Sequence, residues 1–183
     1  MYDTPTIAPR KDAAQTVAER SYEFRPMTAD DLPLIRRWLE TPHVAEWWHD
    51  PAEQFERVSG HLSDPDIVQF IVSTDTRPFA YLQCYNLSDW HIGFGPQPEG
   101  TRGIDQFIGE PDLVGRGHGS AFIRGFIGGL LATGMPRAVT DPNPANARAI
   151  RSYEKAGFRR DRVVDTPDGP ALLMVRNAHL DKR

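Results

Sequence analysis

RGIDQFIGEPDLVGRGHGS, residues Arg102 to Ser120, holds five of the 15 glycines of the chain. It reads as a strand, a short turn, a glycine-punctuated loop and the start of a helix. Unpaired backbone N–H groups at the first turn of a helix point out along its axis. With the helix dipole they make a site for phosphate or another anion. Arg116, Gly117, His118 and Gly119 stand where such a loop would turn, and glycine lets a ligand approach the backbone closely. Taken alone, the stretch is equally a glycine-rich βα turn.

Downstream, Phe122, Ile123, Phe126, Ile127, Leu130 and Leu131 keep helical spacing as far as Ala132. Gly125, Gly128 and Gly129 interrupt this helix, each at a cost of about 1 kcal/mol relative to Ala, which suggests close packing against a sheet. Arg137–Asp141 reads as a strand and Ala145–Ala156 as a helix closed by Gly157 at its C′ position. Phe158–Val164 and Pro170–Val175 read as a last hairpin. Upstream, Ile67–Val72 and Pro78–Tyr85 read as an antiparallel pair, followed by a long loop over Asn86–Gly100. Tyr22–Pro26 alternates like a first strand. Thr28 and Asp31 make a carboxylate capping box before the Leu32, Ile35 and Leu39 face, and Pro42 ends that helix. In His43–His49, two adjacent tryptophans cannot share one core layer. Either one is buried while Trp48 lines a cleft, or both pack a short helix against the sheet. Pro51–Leu62 is a further amphipathic helix. The order implies an α/β chain with a mixed, mostly antiparallel sheet of about seven strands flanked by helices. Its C-terminal β-α-β unit should hold parallel strands with a right-handed crossover. Residues 1–20 read as a flexible arm and 21–183 as one domain.

Composition narrows the function. A formal charge of −4 does not suit a nucleic-acid binder. No apolar run is long enough to span a bilayer, and the first residues lack the apolar core of a secretory signal, so a cytoplasmic protein is expected. Cys84 is the only cysteine, which leaves no internal disulfide and suits a small core residue. His43 and His49 have no ligand set at metal spacing, so no metal site is expected. The glycine loop is neither a dinucleotide fingerprint nor a GxxxxGK[ST] loop.

Two segments together are more specific. VGRGHGSAFIR, then NPANARAIRSYEKAGF, resembles the GNAT acyltransferase superfamily, the first its pyrophosphate loop and the second its Asn…Tyr-x-K-x-G-F helix. Val114 stands where that loop usually opens with Gln or Arg. HVAEWW, RGIDQFIG and TPDGPA extend the resemblance to the aminoglycoside 6′-N-acetyltransferases within that superfamily. The resemblance implies transfer of acetyl from acetyl-coenzyme A to a primary amine, with no metal, by a monomer or homodimer. It places the pantetheine arm along the backbone at Phe107 and Ile108, and the pyrophosphate on the N–H groups of Gly115–Ser120. It gives Asn146 a coenzyme contact, although Asn146 also suits a helix N-cap. Tyr153 takes the role of general acid, since a tyrosine pKa near ~10 keeps it protonated. Asp105 takes the role of anchor for the amine and can relay its proton.

From Asn86 to Asp112, Asp89, Glu99, Asp105, Glu110 and Asp112 face Arg102 alone, an excess that suits a polycationic substrate or a solvated loop. Asp89 and Trp48 join Asp105 as candidate substrate contacts. Other readings are an acyltransferase of the siderophore type acting on a lysine-like amine, and a non-catalytic acyl-coenzyme A sensor. Retention of Tyr153 and Asp105 argues against the sensor.

Overall fold

The computed structural model describes residues 21–75, 77–87 and 93–178. Seven strands form one sheet: β1 (Glu23–Pro26), β2 (Ile67–Thr74), β3 (Arg77–Asn86), β4 (Arg102–Ile108), β5 (Arg137–Thr140), β6 (Arg159–Thr166) and β7 (Gly169–Asn177). Their order is β1-β2-β3-β4-β5-β7-β6. Every neighbouring pair is antiparallel except β4 and β5. The expected mixed, mostly antiparallel sheet is present. The expected arm at residues 1–20 lies outside the described residues.

Alternation along the strands builds a core on each face of the sheet. Ala80, Leu82, Cys84 and Ile104 face α4 (His118–Ala132) and α5 (Ala147–Lys155), joining Phe122, Ile123, Ile127 and Ile150. On the opposite face, Ile71, Tyr81 and Phe107 meet α1 (Leu32–Leu39), α2 (Pro42–Trp48) and α3 (Pro51–Gly60) through Ile35, Trp38, Val44 and Val58. Burial pushes the Cys84 thiol up to about 11, so it is an inert core residue.

Local signals account for most element ends. The capping box at Thr28 and Asp31 is formed, but it opens a single 3-10 turn over Ala29–Asp31 before α1 begins. Pro42 is the first residue of α2 rather than the stop of α1, because its missing N–H costs nothing there. Gly157 closes α5 at a φ of 95°. Of the three glycines expected to pack against the sheet, Gly125 and Gly129 are a correction, whereas a Cβ at Gly128 would lie 3.6 Å from the Arg176 guanidinium on β7. A Cβ at Gly125 or Gly129 would meet nothing within 4 Å, so neither residue packs against the sheet.

The feature that positions the site is where β4 leaves β5. Only Arg102↔Ala138 and Gly103↔Val139 pair, while β4 remains paired to β3 as far as Ile108. Beyond Gly103 the two parallel strands separate, and the edge of β4 lies open.

Candidate active site

The Gly109 N–H donates to the Phe79 carbonyl (2.8 Å), which fixes the hydrogen-bond phase of the β3–β4 ladder. Counting back by twos, Phe107 and Asp105 turn their backbone groups to β3, whereas Ile104, Gln106 and Ile108 turn theirs to the open side. The backbone available to an extended ligand therefore belongs to Gln106 and Ile108. Phe107 contributes its ring, stacked on Tyr81 at 5.2 Å and edge-on to Trp48 at 4.9 Å. The Ile108 carbonyl already accepts from His43 Nε2 (2.8 Å), fastening α2 to the strand end.

A first cavity, about 380 Å³, opens from this edge. It is lined by Ile108, Gly115, Gly117, Gly119 and Ser120, and by Arg148, Arg151 and Lys155 on α5. Gly115 and Gly117 have φ of 76° and 81°, which lets the loop turn so that α4 starts with its N-terminal N–H groups at the cavity. Gly119 permits close approach of α5: a Cβ there would lie 3.0 Å from the Ser152 hydroxyl. The His118 side chain points elsewhere. Buried against Phe79, it bonds the Tyr22 hydroxyl through Nδ1 (2.9 Å), so only its backbone belongs to the loop. Asn146 caps α5, its side chain accepting from the Ala149 N–H (3.0 Å), and it also lines this cavity.

A second cavity, about 500 Å³, adjoins the first; Trp47, Trp48, Gln106, Asn146 and Ala149 line both. Asp105, Asp141 and Asp168 line the second. Both tryptophans are half-buried, so neither is the wholly buried partner that one reading of the sequence offered. Asp105 is the end of a polar chain. Gln69 Nε2 donates to the Tyr81 hydroxyl (2.8 Å), which donates to Gln83 Oε1 (2.8 Å), and Gln83 Nε2 donates to Asp105 Oδ2 (2.7 Å). Gln83 Oε1 can only accept, so His61 carries its proton on Nδ1 for the 3.1 Å contact. Burial raises the Asp105 pKa, with Gln83 and Arg57 opposing; burial and the neighbouring Asp105 and Asp168 charges raise that of Asp141.

Tyr153, on α5, lines the same cavity. Burial holds its hydroxyl protonated. Gln106 Nε2 donates to its oxygen at 3.5 Å, and Thr140 is a second hydrogen-bond partner that favours the phenolate. With Gln106 donating to its oxygen, the hydroxyl keeps its own proton to give.

A model of the acetyltransferase (GNAT) domain matches residues 27–166. The chain belongs to the GNAT acetyltransferase family. An aminoglycoside N(6′)-acetyltransferase type 1 of Klebsiella pneumoniae is 33% identical over 180 residues, covering 92% of this chain and 89% of that protein. The structure of AAC(6′)-Ib with paromomycin and acetyl-coenzyme A superposes with a TM-score of 0.78 at 34% identity, covering 89% of this chain and 98% of the other. AAC(6′)-Ib with coenzyme A and kanamycin gives 0.77 at 35%, covering 86% and 95%.

Against this family background, the structure places Asn146 and Trp48 in the lining of both cavities, Asp105 and Tyr153 in the second, and Gly115, Gly117, Gly119 and Ser120 in the first. Arg116 is not among the residues lining either cavity, and Asp89 lies outside the described residues. Asp141, Asp168, Gln83 and Arg57 escaped the sequence reading. Asp168 lies within TPDGPA, so its segment was in view though its role was not. Asp141 directly follows β5, where no spacing marks it. Among the described residues, no group of three or more His, Cys, Asp or Glu is placed to hold a metal, and no helix is long and apolar enough to cross a membrane.

Proposed function

We propose that this acetyltransferase moves the acetyl group of acetyl-coenzyme A to a primary amine of an aminoglycoside-type substrate, at the 6′ position, by direct attack in a ternary complex in the cytoplasm. The observation that carries this reading is the meeting of a cavity built for anions with a cavity lined by Asp105, Asp141 and Asp168. Three carboxylates suit a substrate bearing several ammonium groups better than one with a single lysine-like amine. The paromomycin and kanamycin complexes of AAC(6′)-Ib point to the same substrate class.

The first cavity holds the coenzyme. The N–H groups at the start of α4 and the cations Arg148, Arg151 and Lys155 take its phosphates. The open backbone of Gln106 and Ile108 pairs with the pantetheine as an added strand would. Asp105 orients the substrate ammonium and accepts its proton, directly or through water, a task that its raised pKa makes easier. The neutral nitrogen attacks the thioester carbonyl carbon. As the C–N bond forms and the C–S bond breaks, the nitrogen gives a second proton to solvent. Tyr153 protonates the departing sulfur, and the donors on its oxygen stabilise the phenolate until solvent reprotonates it.

Thiol release should follow addition of acetyl-coenzyme A with kanamycin, and NMR of the product should place the acetyl group on the 6′-amine. Turnover restricted to lysine-like or hydroxylated amines would replace this reading with the siderophore type.

A further inference from the structure

Arg57 occupies an unusual place for a cation. It stands on the last turn of α3 and lines the second cavity beside Asp105 and Asp168. Its guanidinium bonds Asp168, in the β6–β7 turn, through two contacts: Nη1 to Oδ2 at 3.0 Å and Nη2 to Oδ1 at 3.3 Å. Nη2 also lies 3.6 Å from Glu53 Oε1. Arg57 and Asp168 side chains are 40% and 62% exposed, so the pair lies at the solvent-exposed mouth of the cavity rather than in the core. The charge reaches further in, because Arg57 is also felt at the Asp105 carboxylate.

We infer that Arg57 is a resident counter-ion that sets substrate specificity: it holds Asp168 while the cavity is empty and yields it to a second ammonium of a multi-amine substrate. The inference rests on the proposed amine-acetylating role of this cavity. Three carboxylates facing one space repel one another, and a built-in guanidinium relieves that repulsion without filling the space beside Asp105. An exposed ion pair is worth little in water, so a substrate ammonium displaces it at small cost. A substrate with one amine engages Asp105 and leaves the pair closed. A substrate with several amines reaches Asp168 and opens it. Arg57 thus weakens binding of multi-amine substrates by competing for Asp168, a carboxylate to which the proposed acetyl transfer gives no proton.

A purely structural strap makes a different forecast, and the sign of the effect separates the two. Trp47 and Trp48 line the cavity, so tryptophan fluorescence reports binding without requiring turnover. Titration with kanamycin should show Arg57→Gln binding about fivefold tighter than the unaltered protein, equivalent to about 1 kcal/mol. Asp168→Asn should bind it about fivefold more weakly, and glucosamine, with one amine, should change less than kanamycin across the three. Both variants weakening kanamycin binding together would overturn the inference, as would absence of any fluorescence response to kanamycin. Thiol release with kanamycin, measured separately, tests the acetylation reading. Tighter binding to Arg57→Gln without acetyl transfer would support the counter-ion and remove that reading.

Discussion

Tyr153 combines a hydroxyl that burial keeps protonated with hydrogen bonds that stabilise its anion once the proton has left. Removal of the hydroxyl should therefore affect the chemical step and not the coenzyme. Tyr153→Phe is expected to lower kcat by about a hundredfold, within the range of general acid catalysis, with KM for acetyl-coenzyme A changed less than twofold. Steady-state kinetics checks both numbers. Asp105 gives a pH signature. Its carboxyl is pushed up to about 6, and only the ionised form accepts a proton, so kcat/KM for the amine should rise with pH through about 6. Gln83 donates to that carboxylate and favours its charge. Gln83→Leu should move the rising limb to higher pH, and a limb that stays in place would take Asp105 out of the base role.

At the scale of elements, α4 separates two uses of glycine. Gly117 precedes the helix at a φ of 81°, where an L side chain is strained by about 1–2 kcal/mol. Gly117→Ala should distort the loop and raise KM for acetyl-coenzyme A severalfold. Gly125 and Gly129 are helical and face open space. Gly125→Ala with Gly129→Ala should stabilise the chain by up to about 1 kcal/mol per site, seen as a raised Tm with unchanged kcat. The same helix shows where sequence and structure part. Periodicity located α4, and the Asn146-to-Gly157 signals located α5, because caps and apolar spacing are local. Which side the glycines faced depended on how α4 sits on the sheet, which spacing along one segment does not encode. Phe107 and Ile108 show the same limit. The sequence marked this strand, but only pairing to β3 reveals that Gln106 and Ile108, not Phe107, turn their backbone to the open side.

Across the whole molecule, the second cavity is assembled from distant parts of the chain: Arg57 on α3, Gln83 on β3, Asp105 on β4, Asp141 after β5 and Asp168 before β7. The two glycine and asparagine motifs were legible because each lies within one segment. The acidic triad was not, since only the sheet order brings its members together. Gathering these acids has a thermodynamic consequence. The folded-state pKa of Asp141 is raised above its unfolded value, so folding takes up protons in the interval between them. The contribution of this group to stability is full below about pH 4 and is lost as pH rises through the folded value. Asp141→Asn should accordingly raise Tm at about pH 8 by about 2–4 °C, the equivalent of about 1 kcal/mol, and have a smaller effect at about pH 5. Thermal melts at the two pH values test the sign.

The central claim is that acetyl passes directly between two substrates held in adjoining cavities. Initial rates of thiol release, with acetyl-coenzyme A and kanamycin both varied, test it most directly. Double-reciprocal lines should intersect, as a ternary complex requires. Parallel lines, the mark of an acetylated enzyme intermediate, or thiol release independent of kanamycin, would contradict it.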